Sequence, residues 1–387
     1  MSSVRALTTK CSIRNIEKNE MPQFKFKYVV ILGLFIFIPL SIASDFLKWN
    51  ETAIFILSAL AIIPLSIVLS TATEKVAVVT GPSLGGLINA VFGSATVLII
   101  TLIALREGLV DIVKASITGS ILSDLLLFLG LAMFTGGIRY KEQEFQPILA
   151  RVNGLSMTLA VIAIALPTLV INTSNMIDAS IIKQLSIVVA TVLIIVYGLT
   201  LLFSLKTHSY LYDVSLAIKP ESPKEEETEA KNNAYYLATW IIILITTTIA
   251  VAFESELFVD VVDVVVEGYG LTPLFTGVIL LPLISDVSGI VTVIQLSLKD
   301  KMDLVVATAT GDSLLISLLV APMLVFAGLI MNQNMDLNFN PFEVVALAVS
   351  VTVTNLISFS GRSNWLDGTL LLATYTILGV AFFYHPA

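Results

Sequence analysis

The chain has 387 residues, of which 56% are hydrophobic and only 13% charged. A soluble domain carries closer to a quarter of its residues as charges, so this composition, with a mean hydropathy of +0.94, describes a chain dissolved in lipid and excludes a soluble enzyme. The net charge of −8 leaves no basic footprint for nucleic acid and favours a cation over an anion as any charged ligand.

Residues 1–27 are polar and charged, and are expected to stay on the cytosolic side. They hold the single cysteine, Cys11, which cannot form an intrachain disulfide. The apolar run that follows is too long for a signal-peptide core and is read as a retained first helix, 28–47. Runs long enough to cross a bilayer follow at 52–72, 83–105, 112–134, 154–172 and 184–205. A hydrophilic stretch at 206–234, acidic from Lys219 to Glu229, has the composition of a solvated linker or of a cation-sensing segment. Further runs at 235–253, 271–298, 303–331, 341–359 and 365–384 bring the predicted total to eleven spans. Between the first two of these, Glu254–Glu267 carries five acids and no base, and reads as a solvated loop, an amphipathic helix or a cation-concentrating mouth. With the N-terminus in the cytoplasm, all of the 21 Lys and Arg residues except Lys48, Arg106, Lys114 and Lys183 fall on the cytoplasmic side, as the positive-inside rule requires.

The two halves of the chain resemble each other. At an offset of 192 residues, 93–130 and 285–322 match at Asp111/Asp303, Val113/Val305, Ala115/Ala307, Thr118/Thr310, Gly119/Gly311, Leu126/Leu318 and Leu127/Leu319. The expected architecture is therefore an all-α polytopic membrane protein, with one extra N-terminal helix followed by two five-helix repeats, 52–205 and 235–387. Because five is odd, the second repeat enters the membrane from the opposite side. Inverted repeats are how secondary transporters build a midplane site and expose it to each side in turn. The third and eighth helices are interrupted by Gly81, Pro82, Gly85, Gly86 and Gly93, and by Pro273, Gly277, Pro282 and Gly289. Such residues serve close packing or free carbonyls for a cation.

Ionisable groups inside a span cost roughly 2.5–3.5 kcal/mol each on insertion scales, which makes them functional candidates. Three stand in these spans: Asp124, Asp286 and Asp312. Asn89, Ser94, Ser120, Ser285 and Thr310 supply neutral oxygens nearby, a donor set suited to a hard cation, while the carboxylates can also carry protons. The alternative for each acid is a structural hydrogen bond made in the neutral form. Glu74, near the cytoplasmic end of the second helix, is either an entry-side acid or a solvated helix-end residue. With His208 and His385 far apart in sequence, no histidine metal site is expected, and no nucleophile and base at a recognisable spacing suggest an enzyme. No cofactor is expected.

Thr71-Ala-Thr-Glu74, Leu84-Gly-Gly-Leu-Ile-Asn-Ala-Val-Phe-Gly93, Gly119-Ser-Ile-Leu-Ser-Asp124, Lys299-Asp-Lys-Met-Asp303, Ser363-Asn-Trp-Leu-Asp-Gly368 and Phe382-Phe-Tyr-His-Pro386 occur in this order. In them the chain resembles the calcium/proton exchanger (cation exchanger) family of the calcium/cation antiporter superfamily. The resemblance implies a calcium/proton antiporter with one helix plus two inverted five-helix repeats. It also implies a Gly-Asn-x-x-Glu motif in each repeat, whose glutamates bind calcium and protons in turn. Here those motifs read Gly93-Ser-Ala-Thr-Val97 and Ser285-Asp-Val-Ser-Gly289, so the glutamates correspond to Val97 and Gly289 and the asparagines to Ser94 and Asp286. Asp124 stands where the family has asparagine and Asp312 where it has serine. The expected site is a relocated one built on Asp124, Asp286 and Asp312. Two readings stay open: an antiporter of calcium or another cation against protons, and a transport-incompetent partner of an active exchanger. The expected partners are the bilayer, the cation and protons, with a homo- or hetero-oligomer left open.

Overall fold

The computed structural model describes residues 33–174, 179–208 and 234–385. The predicted cytosolic segment with Cys11, the start of the first helix, and the linker beyond residue 208 lie outside the described residues. The described residues are helical almost throughout. Helix α1 is Phe37–Phe46, and α2 runs through Glu51–Phe92, started by the Asn50 side chain, which accepts a hydrogen bond from the Thr52 amide at 3.2 Å. A short helix α3, Ala95–Arg106, follows, then α4, Val110–Tyr140, which contains a π-helical turn at Ser123–Phe128. Strand β1 (Glu142–Glu144), α5 (Pro147–Ser174) and α6 (Ala179–Leu202) complete the first half. The second half holds α7 (Ala234–Gly268), α8 (Pro273–Ser285), α9 (Val287–Leu298), α10 (Met302–Met331, π-helical at Ile316–Val320), α11 (Pro341–Ser358), strand β2 (Arg362–Asn364) and α12 (Trp365–Tyr384). Strands β1 and β2 pair antiparallel, Gln143 opposite Ser363, and tie the halves together at one end.

Among the described residues, eight helices are long and apolar enough to cross a membrane, or nine with the bent pair α8 and α9 taken as one span. The eleven predicted runs each have a helical counterpart, but three boundaries change. The second and third runs are parts of one 42-residue stretch broken at Gly81, whose φ of 84° and ψ of 175° only glycine adopts readily. The third run is broken again at Gly93 and Ser94, so that its outer part is the separate helix α3. Glu254–Glu267 is neither a loop nor a separate amphipathic helix but the last turns of α7, with Asp260, Asp263 and Glu267 on the exposed face.

Helices α4 and α10 form the centre: 72% and 61% of their most apolar stretches are buried, against 17–22% for α6, α7 and α12, which face outward. The outward face of α6 is a stripe of Val188, Val192, Ile195, Leu199 and Leu202, spaced as one side of a helix and suited to lipid tails. The offset of 192 seen in the sequence holds in the backbone, since α4 and α10 begin at Val110 and Met302. The breaks repeat as well: Ser94 has φ −112° and ψ 31°, and Asp286 has φ −124° and ψ 38°.

Helices α4 and α8 cross at glycine contacts. A Cβ on Gly119 would stand 2.3 Å from the Val278 carbonyl oxygen, and one on Gly277 would stand 2.3 Å from the Ala115 Cβ. Backbone blocks the first of these, so no rotamer change relieves it. We expect Gly119→Val to separate α4 from α8 and remove most of the monodisperse protein in detergent size-exclusion chromatography, since overpacking alone costs about 1–3 kcal/mol and the helix propensity of valine does not offset it.

Candidate functional site

The two helix breaks meet at a narrow cleft. Ser94 and Val97 line it from one repeat and Ser285, Asp286 and Ser288 from the other, with Ser66 and Ser70 added by α2. Its volume, about 10 Å³, is close to that of one water-sized sphere. Asp286 stands at the break itself and starts α9: its Oδ1 accepts hydrogen bonds from the Gly289 amide at 3.1 Å and from the Ser288 hydroxyl at 3.4 Å. A negative group is favoured there by the unpaired amides and the positive end of the helix dipole. Its Oδ2 makes no such bond among the described residues and is the oxygen available to a ligand.

Asp124 lies in the π-helical turn of α4, 1% exposed, where the Ser313 hydroxyl of α10 donates to its Oδ2 at 3.1 Å. Asp312 is the residue before that serine and is half-buried. Asp124 lies within the electrostatic field of both other aspartates, and Asp312 within that of Asp286. The three predicted carboxyls are therefore brought into one region by α4, the α8–α9 break and α10. They do not converge on a point: among the described residues no three His, Cys, Asp or Glu side chains could together hold a metal ion. The relocated cation or proton site expected on Asp124, Asp286 and Asp312 is therefore not closed around an ion in this arrangement. The reason is geometric, since Asp286 Oδ1 is turned into its own helix cap and Asp124 toward Ser313.

The neutral ligands divide. Ser94 and Ser285 line the cleft, although the Ser285 hydroxyl donates to the Leu281 carbonyl at 2.8 Å. Ser120, at the position in the first repeat that Asp312 occupies in the second, is buried with a hydroxyl that has no hydrogen-bond partner. Thr310 is committed elsewhere, donating to the Val306 carbonyl at 2.7 Å and accepting from the Asn153 amide of α5 at 2.8 Å. Asn89 is exposed on the half-helix before the break, and Glu74 is exposed on α2; neither lines the cleft. Of the two positions that correspond to glutamates in the resembling family, Val97 faces the cleft with no oxygen to offer, and Gly289 is closed in. A Cβ at 289 would stand 2.7 Å from the Phe128 ring and 2.8 Å from Asp286 Oδ1. Several polar neighbours were not anticipated: Ser66 and Ser70 of α2, Asn153, Tyr197, which lies within the field of Asp312, and Tyr375, whose hydroxyl is 3.3 Å from that of Ser123. Ser66 and Ser70, four residues apart in an apolar helix, carried the one signal available in sequence.

The repeats are not in equivalent positions. Gly119 is jammed against α8, yet nothing lies within 4 Å of a Cβ on its counterpart Gly311. The half-helix of α2 beyond Gly81 leans the other way. Gly86 abuts Leu205, and Ile88 and Phe92 join the apolar cluster of Leu65, Leu69, Leu244 and Val251. One half-helix is thus docked on its central partner and the other is not.

Two inverted repeats, each with a helix broken at the centre of the bundle and polar groups gathered at the breaks, define a secondary transporter of the membrane. The chain belongs to the sodium/calcium exchanger protein family, whose profile matches residues 50–206 and 239–384. It is 54% identical over 364 residues to the Ca(2+)/H(+) antiporter of Aphanothece halophytica, covering 93% of this chain and 98% of that one. It is 38% identical over 347 residues to the Ca(2+)/H(+) antiporter ChaA of Bacillus subtilis, covering 89% and 96%. The solved structure of native YfkE superimposes with a TM-score of 0.77 at 33% identity, over 91% of this chain and 99% of that one.

Proposed function

We propose that this chain is a calcium/proton antiporter that works by alternating access, with Asp286, Asp124 and Asp312 as the carboxyls that exchange protons for the cation. The exchange itself is supported by the relatives named above as Ca(2+)/H(+) antiporters. The observation that carries the choice of residues is the placing of Asp286 at the helix break of the second repeat, beside the cleft that Ser94 and Val97 line from the first. A divalent cation entering there meets Asp286 Oδ2 and serine hydroxyls. Completing its shell requires Asp124 or Asp312 to swing in from α4 or α10, which docking of the free half-helix onto Gly311 would favour. Protonation of the same carboxyls removes the charge that holds the ion, so protons and cation compete for one site. The undocked half-helix lies on the side that the basic residues assign to the cytoplasm, which supports an inward-open arrangement with the N-terminus cytoplasmic.

A specific observation favours a second reading, a non-transporting partner of an active exchanger: Val97 lines the cleft without an oxygen, and Gly289 has no side chain. Purified protein in liposomes loaded with a pH dye separates the two. Calcium, manganese, sodium and potassium are added in turn at an imposed pH gradient. The antiporter reading expects saturable proton movement driven by calcium, and by manganese more weakly. Silence towards all four ions, beside an active relative in the same lipid, supports the partner reading and ends the first.

A further inference from the structure

One acid stands apart from the central group. Glu254 lies on α7, 1% exposed, and neither oxygen of its carboxyl has a hydrogen-bond partner. The Ser41 hydroxyl of α1 lies beside it, and Ser41 and Ser255 are themselves buried with unpartnered hydroxyls. Glu254 and Ser41 therefore meet at the seam between the extra helix and the first helix of the second repeat, and Ser255, next to Glu254 in sequence, is a third buried polar group without a partner. Phe258, one turn along α7, stacks on Phe55 of α2 with ring centroids 4.7 Å apart and closes the seam toward the outer end. Helices α1, α2 and α3 pack against α7. Their charged groups among the described residues are Asp45 on α1, Glu51, Glu74 and Lys75 on α2, and Arg106 with its neighbour Glu107 at the end of α3. None of them, nor any of the central aspartates, acts on the Glu254 carboxyl. Asp45, Arg106 and Glu107 belong instead to a cluster around Glu256 and Asp260, in which Arg106 bonds Glu256 at 2.7 Å.

An ionised carboxylate in such a place has no counter-charge and only the neighbouring Ser41 hydroxyl to turn toward it, a state that is strongly disfavoured in an apolar interior. A metal ion is a poor occupant, because two carboxylate oxygens and one serine hydroxyl fall short of the six or more oxygens a hard divalent cation takes. A proton needs only one carboxyl oxygen, and the acid it forms can donate to a serine hydroxyl. We propose that Glu254, with Ser41 of α1 beside it, is a second proton-binding site, separate from the central carboxyls, whose neutral form holds α1 against α7.

The test uses the wild-type full chain in liposomes and a hydrophobic carbodiimide, which modifies carboxyls that are protonated in apolar surroundings, with the modified residues located by peptide mass spectrometry. The proposal expects Glu254 to be labelled at neutral pH, more slowly as the pH is raised, and unchanged in rate by sodium or calcium. It also expects labelling to persist when Asp124, Asp286 and Asp312 are all replaced by Asn. Absence of labelling at Glu254 while another membrane carboxyl reacts would overturn it. Protection by sodium or calcium at fixed pH would also overturn it, by making the site one for a metal cation. Glu254→Gln, a neutral isostere, should keep the thermal melting point of the wild type at neutral pH and abolish its fall at alkaline pH. An alkaline fall that persists unchanged in the folded variant counts against the site.

Discussion

Asp286→Asn is expected to abolish calcium-driven proton flux while leaving the fold intact. Asparagine caps a helix as well as aspartate does, so the bond to the Gly289 amide survives and α9 still starts at Val287. What is lost is the charge and the proton. Asp286→Ala removes the cap too, which should lower stability by about 0.5–2 kcal/mol in addition to stopping flux. The pair therefore separates structure from transport. Flux at background in both variants, with a lowered melting temperature only in the alanine variant, is the expected pattern. Wild-type flux in Asp286→Asn would remove Asp286 from the exchange site.

The second large effect comes from adding a carboxylate. Val97 borders the cleft opposite Asp286, so Val97→Glu places a second acid where a cation must pass. We expect apparent calcium affinity to rise by about tenfold or more, each factor of ten corresponding to ~1.4 kcal/mol of binding free energy. Gly289→Glu should behave in the opposite way. Its Cβ would press on Phe128 and on the Asp286 carboxyl, so the expected result is loss of folded protein in thermal-shift and size-exclusion assays. Equal calcium affinity in Val97→Glu and wild type would show that the ion does not use this cleft.

Much of this arrangement was legible in the sequence because the bilayer imposes strong rules. Runs of about 20 apolar residues mark the spans, and the glycines that interrupt the third and eighth helices include Gly93 and Gly289, one and three residues from the breaks at Ser94 and Asp286. The three aspartates stood out because charge inside apolar runs is rare. The long α7 was missed because its last turns are acidic. Yet Glu256, Asp260, Asp263 and Glu267 recur every three or four residues, which puts them on one face of a helix that simply continues. Other features leave no local trace. The capping role of Asp286 is hidden because an N-cap inside an apolar run looks like a buried charge. The contact of Asn153 with Thr310 joins residues 157 apart, and no spacing rule reaches across that distance. Asn89 was misplaced for a related reason: the break at Gly81 turns its half-helix toward Leu205 and α7 and leaves the amide exposed.

If Asp286 at the helix break and Asp124 and Asp312 on the neighbouring central helices exchange protons for the cation, they must give up protons when it binds. Proton release on adding calcium to purified protein in weakly buffered detergent, followed with a pH dye, measures this without any need for transport. The expected release saturates with calcium, is lost in Asp286→Asn, and is reduced in Asp124→Asn and Asp312→Asn. Calcium binding with no proton release, or release undiminished when all three aspartates are replaced, would contradict it.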